Sequence, residues 1–350
     1  MERRSFLKNA GIAAAATAAA PALAADGPSV RWRLTSSFPK SLDALWGAAP
    51  QLAKRVSELT GGKFEIRPFA AGEIVPGLQV LDAVQRGTVE CGHTAGYYYV
   101  GKDATFAFEA GLPFGLTARQ QNAWLYHGGG LQMTRDFLKE YNVINFPGGN
   151  TGTQMGGWWR KEVKNLNDLK GLKVRAPTRQ VNKMVAMMGA TPVAMPVPQV
   201  TEALSKGVID GAVIPYEVAP GLKVNELTNF TAETDRSYNA LYTTVFVVPM
   251  NKAKYDSLPA DLKAVIDKNS GREFSAFLGK TQAGQDVPSK KVFEASANQK
   301  ISIIPKAELE KWKKATDALD DAWVAEMTGK GMDGKGMLQT ATDMIKQYTK

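Results

Sequence analysis

The chain of 350 residues holds one cysteine, Cys91, and two histidines, His93 and His127. A single thiol excludes an intramolecular disulfide, so no bridge stabilises the fold. Cys91 follows Val89 and Glu90 at an apolar strand end and reads as a buried, inert thiol. Two isolated histidines, with no HExxH, paired-His or G-x-S-x-G pattern, give no metal site and no Ser-His machinery, and both read as structural. His127 precedes Gly128-Gly129-Gly130, but without a GxGxxG or GK[ST] context this is not a phosphate loop. Beyond the first residues no apolar run reaches the length of a membrane span, about 20 residues. A basic block is missing too. The formal charge of +9 is spread through the chain, so nucleic-acid binding lacks its stripe or reader motif. Diffuse positive charge favours small anionic solutes.

What is present is ample apolar material and a repeated pattern. With 44% hydrophobic residues the chain can supply two cores. Residues 1–24 read as an export leader: Arg3-Arg4, then Ser5-Phe6-Leu7-Lys8, an alanine-rich run too short and too weakly apolar to span a bilayer, and Ala22-Leu23-Ala24 before a mature start at Ala25. The arginine pair resembles a twin-arginine signal. Glu2 stands where Ser or Thr is usual, which leaves general secretion open as well.

The mature chain alternates strands and helices. Val30 to Leu34 alternates apolar and charged residues as a half-buried strand, Leu42 to Leu59 has helical spacing with Gly61-Gly62 as its stop, and Phe64 to Phe69 is the next strand. Leu78 to Arg86 reads as a helix, Val89 to His93 as a third strand, and Asn142 to Asn150 as a fourth. The same grammar returns from Leu172: strand to Val174, helix Asn182 to Gly189, strand Val193 to Met195, helix Gln199 to Gly207, and an apolar run Val208 to Ile214. This is a parallel α/β half-domain, in which ligands bind outside the carboxyl ends of the strands. Arg175 stands at such an end. Its planar fork of donors matches a carboxylate, although an arginine taken alone is more often a surface residue in an ion pair. Further on, Asn239 to Met250 reads as a long buried strand and Ala260 to Glu294 as one long helix kinked or divided by Pro288. Two more helices follow, Lys306 to Met327 and Met337 to Thr349.

The segment LKGLKVRAPT, followed by GATPVAMPVPQVTEALSKGVIDG, resembles the ligand domain of the solute-binding proteins of TRAP (tripartite ATP-independent periplasmic) transporters. SSFPKSLDALWGAAPQLAKRVSELTGGKFEIRPFAAGEI and VLDAVQRGTVECGHTAGYYYVGKDATFAFEAGLPFGL extend the resemblance over nearly the whole mature chain, with the second closest to the branch that binds 2-oxo acids. It implies an α/β fold of two lobes, with two mixed sheets flanked by helices and a long bracing helix. Lobe I would take residues 25–150 plus about 239–285. Lobe II would take 151–238 plus about 286–350 with the C-terminal helices. The implied function is capture of an organic acid (a monocarboxylate, 2-oxo acid or aromatic acid) in the interlobe cleft, in the periplasm, and delivery to membrane permease subunits. The protein would be a monomer or a dimer through C-terminal helices.

In this family the arginine matching Arg175 binds the substrate carboxylate. The aromatic cluster matching Tyr97-Tyr98-Tyr99 lies near the ligand, which points to Tyr97 or Tyr98, since three adjacent tyrosines cannot all face one pocket. Trp158 and Tyr216 are expected as pocket walls. Phe38 either closes over the ligand or packs under its loop, and Phe246, whose counterpart faces the cleft in some relatives, is expected in the core. The glutamine matching Gln154 helps hold a bridging sodium ion in 2-oxo-acid-binding relatives, together with a glutamate in a D-A-A-E motif. Here that motif reads Asp210-Gly211-Ala212-Val213, and a valine cannot hold a hard cation, so sodium is disfavoured and no cofactor is expected. Glu217 either reaches the pocket, accepting from ligand hydroxyls or amines, or pairs at the surface. The alternative class is an exported carboxylate-processing enzyme with Arg175 as anchor and Glu217 or a tyrosine as acid or base. No nucleophile or supported base stands at a telling spacing for it.

Overall fold

Trp32 and Leu34 turned inward, with Arg31 and Arg33 outward, make the first strand, β1 (Val30–Ser36), whereas the central strands further on are buried on both faces. The computed structural model describes residues 29–348 except 104, 107–113, 115, 153–155, 177–178 and 236–242. The leader and Gln154 lie outside the described residues. After β1 come β2 (Phe64–Phe69), β3 (Cys91–Ala95), β4 (Val143–Asn150), β5 (Gly157–Trp159), β6 (Lys173–Ala176), β7 (Thr191–Ala194), β8 (Gly211–Ala212), β9 (Phe230–Thr234), β10 (Val245–Asn251) and β11 (Lys300–Ile304). They form two mixed sheets, in the orders β2-β1-β3-β10-β4 and β11-β9-β5-β8-β6-β7.

Both lobes contain the same parallel half-domain. In the first, β1 lies between β2 and β3, parallel to both; in the second, β6 lies between β7 and β8, again parallel to both. The chain therefore leaves β1 and β6 toward one neighbour and returns on the opposite side. A crevice opens at the carboxyl end of the strand where such a reversal occurs. Each lobe thus offers one switch point, β1 with its following loop and β6 with Arg175.

Among the described residues three segments join the lobes ahead of the C-terminal helices, which make a further crossing. The chain crosses after β4 and returns before β10, and these crossings are bonded to each other: Thr151 N–H donates to Thr244 O (2.9 Å) and Thr244 N–H to Thr151 Oγ1 (3.1 Å). The third is the 24-residue helix Arg272–Ala295, about 36 Å long at 1.5 Å per residue. Its first half buries Phe274 and Leu278 in the lobe I core, and its last turn packs Phe293 on Trp158 and Tyr216 of lobe II. Gly149 meets this helix with a φ of +95°, and a Cβ there would come within 3.0 Å of Leu278, so the contact requires glycine.

Several boundaries depart from the sequence reading. The helix expected over Leu42 to Leu59 is broken at Gly47 into Asp43–Trp46 and Ala48–Leu59, because Pro50 has no N–H to continue the first piece. The helix expected over Ala260 to Glu294 divides at Ser270-Gly271, where Gly271 leaves helical geometry (φ −100°, ψ −128°). Pro288 stays inside the second piece. It and Gly284, whose carbonyl loses a partner to the proline, are both exposed, so water can satisfy that carbonyl. The last stretch forms Lys306–Thr316, Ala318–Gly329 and Gly334–Tyr348. The final two helices do not stay wholly with lobe II as expected: Leu319 still packs in the lobe II core, and the chain then crosses to lobe I. Trp323 and Met327 pack with Leu116, Trp124, Leu125 and Val247 of lobe I, and Lys330 pairs with Asp103 at 2.6 Å. Apolar surface left by helix Ala118–His127 draws them there, on the same chain.

Candidate ligand-binding site

The two switch points face each other across a cavity of about 310 Å³, part of it open to solvent. Arg175, Val197, Pro215 and Val218 line it from lobe II, Phe38, Leu45, Tyr97 and Phe246 from lobe I, and the paired Thr151 and Thr244 close it at the crossing.

Arg175 is 1% exposed. Its register partners are Val193 on β7 and Ala212 on β8, so the residues just past those strand ends flank its side chain. Nε donates to Met195 O at 3.1 Å and Nη1 to Val213 O at 3.0 Å, while Nη2 is buried without a protein partner. The side-on fork through Nε is therefore already used. The donors left over are Nη2 and the remaining hydrogen on Nη1, so a carboxylate placed here would be met end-on.

The tyrosines follow β3 in a short turn, Gly96–Tyr99. Tyr97 lines the cavity, and Tyr98 stands edge-to-face against it at 4.6 Å. The Tyr98 hydroxyl is buried with no hydrogen-bond partner. Burial first, then neighbouring Tyr97, pushes this phenol well up against the opposing pull of Arg175, so it remains a neutral donor beside the guanidinium. Tyr99 points away and accepts from Leu81 N–H. Phe38 lines the cavity and contacts Phe246 edge-to-face at 5.5 Å, so both belong to its aromatic wall.

Three expected site residues lie elsewhere. Residues 216–218 form a single 3-10 turn, and its neighbours three apart, Pro215 and Val218, take the cavity face. Tyr216 is turned away: its hydroxyl donates to Glu233 (2.9 Å), which also meets Lys290 of the long helix at 2.6 Å. Glu217 also leaves the pocket. Buried at 8% exposure with neither oxygen donated to, it faces Asp286 of the long helix. Burial, then that neighbouring carboxylate, holds its carboxyl well above the usual range. Trp158 is fully buried behind the cavity against Tyr216 (5.4 Å) and Phe293 (5.6 Å). On β5 its side alternates with Trp159, whose ring lies so close to β8 that a Cβ on Gly211 would sit 2.2 Å from it. Leu45, Thr151, Val197, Pro215, Val218 and Thr244 line the cavity without having been picked out from sequence. Position just past a strand end, or at the crossing between lobes, is the signal they share.

Glu217→Gln tests its placement through pH. A folded pKa above the unfolded value means the protonated carboxyl's contribution is complete below about pH 4.5 and is lost as pH rises toward the folded pKa. The glutamine variant should match wild type at pH 4 and melt higher at pH 8, by about 2–4 °C for each kcal/mol recovered. Calorimetric scans at both pH values check this.

A buried cation with one free nitrogen, set in an apolar cavity between hinged lobes, defines a binding protein for a small anion. Residues 35–326 match the family described as bacterial extracellular solute-binding protein, family 7. The chain is 35% identical to a TRAP transporter solute-binding protein from Bordetella bronchiseptica, solved as a dimer with copurified calcium and picolinate, over 92% of this chain and 94% of that one, with a TM-score of 0.81. It is 33% identical to a TRAP solute-binding protein from Rhodoferax ferrireducens in complex with copurified benzoate, over 91% and 98% of the chains, with a TM-score of 0.78. A monocarboxylate 2-oxoacid-binding periplasmic protein of Nostoc sp. is 51% identical over 226 residues; that match spans 62% of each chain, under two thirds of the relative's length. The chain belongs to the family 7 solute-binding proteins of TRAP transporters, a transport class. Among the described residues no helix is long and apolar enough to cross a membrane.

Proposed function

We propose that this protein captures a monocarboxylic organic acid with a flat 2-oxo or aromatic body in the periplasm and hands it, chemically unchanged, to TRAP permease subunits in the membrane. The observation carrying this reading is the Arg175 Nη2, buried and unpartnered in the cavity. A charge this deep is tolerated when an anion completes its bonding. Among the described residues no second cation lines the cavity, so a dicarboxylate's other charge would meet apolar walls there. No described carboxylate lines it either, which disfavours an ammonium group on the ligand. The relatives that hold picolinate, benzoate and 2-oxo acids fit the same chemistry.

The same lining argues against a resident cation. Hard cations need several oxygen ligands, carboxylates first among them. The described side-chain oxygens here are the hydroxyls of Tyr97, Thr151 and Thr244, while the Val213 side chain packs into an apolar cavity behind the site and its carbonyl is taken by Arg175. We therefore propose binding without sodium or calcium.

Thermal shift and calorimetry with pyruvate, picolinate, benzoate, succinate and a sialic acid test the reading. One or more of the first three should raise Tm and the last two should not. Tight binding of sialic acid or succinate with none of the monocarboxylates overturns it, as does turnover of the bound acid by pure protein. Affinity that collapses when sodium is replaced by choline, or when calcium is chelated, overturns the cation-free site.

A further inference from the structure

His93 is the buried titratable group nearest the cavity that plays no part in holding the anion. It sits on β3, is 2% exposed, and its ring packs edge-on beneath Phe38 at 5.2 Å and tilted against Phe246 at 6.3 Å. Both phenylalanines line the cavity. Nδ1 lies 3.3 Å from Ser36 Oγ, and that same Oγ accepts from Phe38 N–H at 3.1 Å. The backbone repeats the tie, since Ser37 N–H donates to His93 O at 2.8 Å.

We propose that His93 is a positioning residue of the binding site, which acts through Ser36 to fix Phe38 as the wall that meets the body of the ligand and so favours ring-bearing acids. The hydroxyl of Ser36 has one proton to give. One lone pair is taken by Phe38 N–H; in this proposal the proton goes to Nδ1 of a neutral ring protonated on Nε2, the other tautomer donating instead to the second lone pair. Burial lowers the His93 pKa to about 4, consistent with a neutral ring at the pH of the periplasm. The effect reaches the ligand through the Phe38 ring and leaves the carboxylate end alone. Size and flatness of the acid's body are therefore what His93 governs.

This inference rests on the reading of the cavity as an organic-acid site, and the test has one arm that does not. His93→Leu keeps bulk and removes the acceptor, while His93→Asn places an acceptor oxygen close to where Nδ1 stood. In the unliganded protein, hydrogen exchange of the Phe38 amide should quicken in His93→Leu and stay near wild type in His93→Asn. By calorimetry His93→Leu should lose about tenfold in affinity for benzoate, the scale of one lost hydrogen bond, and threefold or less for pyruvate, with His93→Asn close to wild type for both. Unchanged exchange at Phe38 in His93→Leu overturns the proposal, whatever the acids do. So does equal loss for both acids, or an asparagine variant that folds but behaves as the leucine one does. Wild type that binds neither acid, with exchange at Phe38 still following the acceptor, tells against the substrate reading and leaves the positioning of Phe38 supported.

Discussion

Arg175→Ala should cost about 2–5 kcal/mol of ligand affinity, a loss on the order of 30-fold to several thousandfold, while the protein still folds. The scale follows from the desolvation of the pair. A carboxylate that has left water and finds no cation in an apolar cavity loses its attraction and also the hydration it gave up. Folding survives because the two carbonyls released by the truncation, of Met195 and Val213, then border a cavity that water can enter. Arg175→Lys is the sharper variant. A lysine ammonium has three donors on a flexible stem, and the same two carbonyls compete for them. It should therefore recover only part of the loss and leave the ligand's orientation poorly fixed. Calorimetry with benzoate and pyruvate decides. An alanine variant that binds either acid as tightly as wild type would remove the carboxylate assignment.

How far the site was legible from sequence follows from what each residue depends on. Arg175 was legible because a strand between two turn signals places its last residue at a known end of a parallel sheet. Phe38 was legible on the same logic, as the residue just past β1. Tyr216 and Glu217 were misplaced because their direction depends on where β8 stops and a 3-10 turn begins. A slip of one residue there exchanges the faces, and an apolar run such as Val208 to Ile214 does not mark that point. Only Gly211–Ala212 pairs as strand, so the turn starts early and gives the cavity to Pro215 and Val218. Thr151 and Thr244 were missed for another reason. They are 93 residues apart, and only the antiparallel pairing of β4 and β10 brings them together.

The long helix shows the same limit in reverse. Proline is a stronger breaker than glycine in a helix interior, so Pro288 was the expected division. The chain divides at Gly271 instead, and that choice is tertiary. Ser275 Oγ accepts from Gly149 N–H at 3.2 Å, and Phe274 and Leu278 are buried in lobe I, so the helix must begin where it can lie on β4. Pro288 falls on the exposed face, where its missing bond costs least.

Trp158 gives the second large effect, and it separates core from pocket. Trp158→Ala should destabilise the protein by about 3–5 kcal/mol, because it empties a volume between β5, Tyr216 and Phe293 that the backbone cannot close. Trp158→Phe should recover most of that. It keeps an aromatic ring against both neighbours, and it removes an indole N–H that is buried with no partner. Ligand affinity of the folded alanine variant should stay within about threefold of wild type, since the ring does not line the cavity and reaches it only through the turn that carries Pro215 and Val218. Urea midpoints for the three proteins, with benzoate titrations below the transition, measure both quantities on the same samples. If Trp158 were a ligand wall, as the sequence led one to expect, the pattern would invert: affinity would fall by tenfold or more and the midpoint would barely move. A falling midpoint with affinity held would assign the two β5 tryptophans to structural roles on opposite faces of that strand, Trp158 bracing the turn against the long helix and Trp159 packing beneath β8.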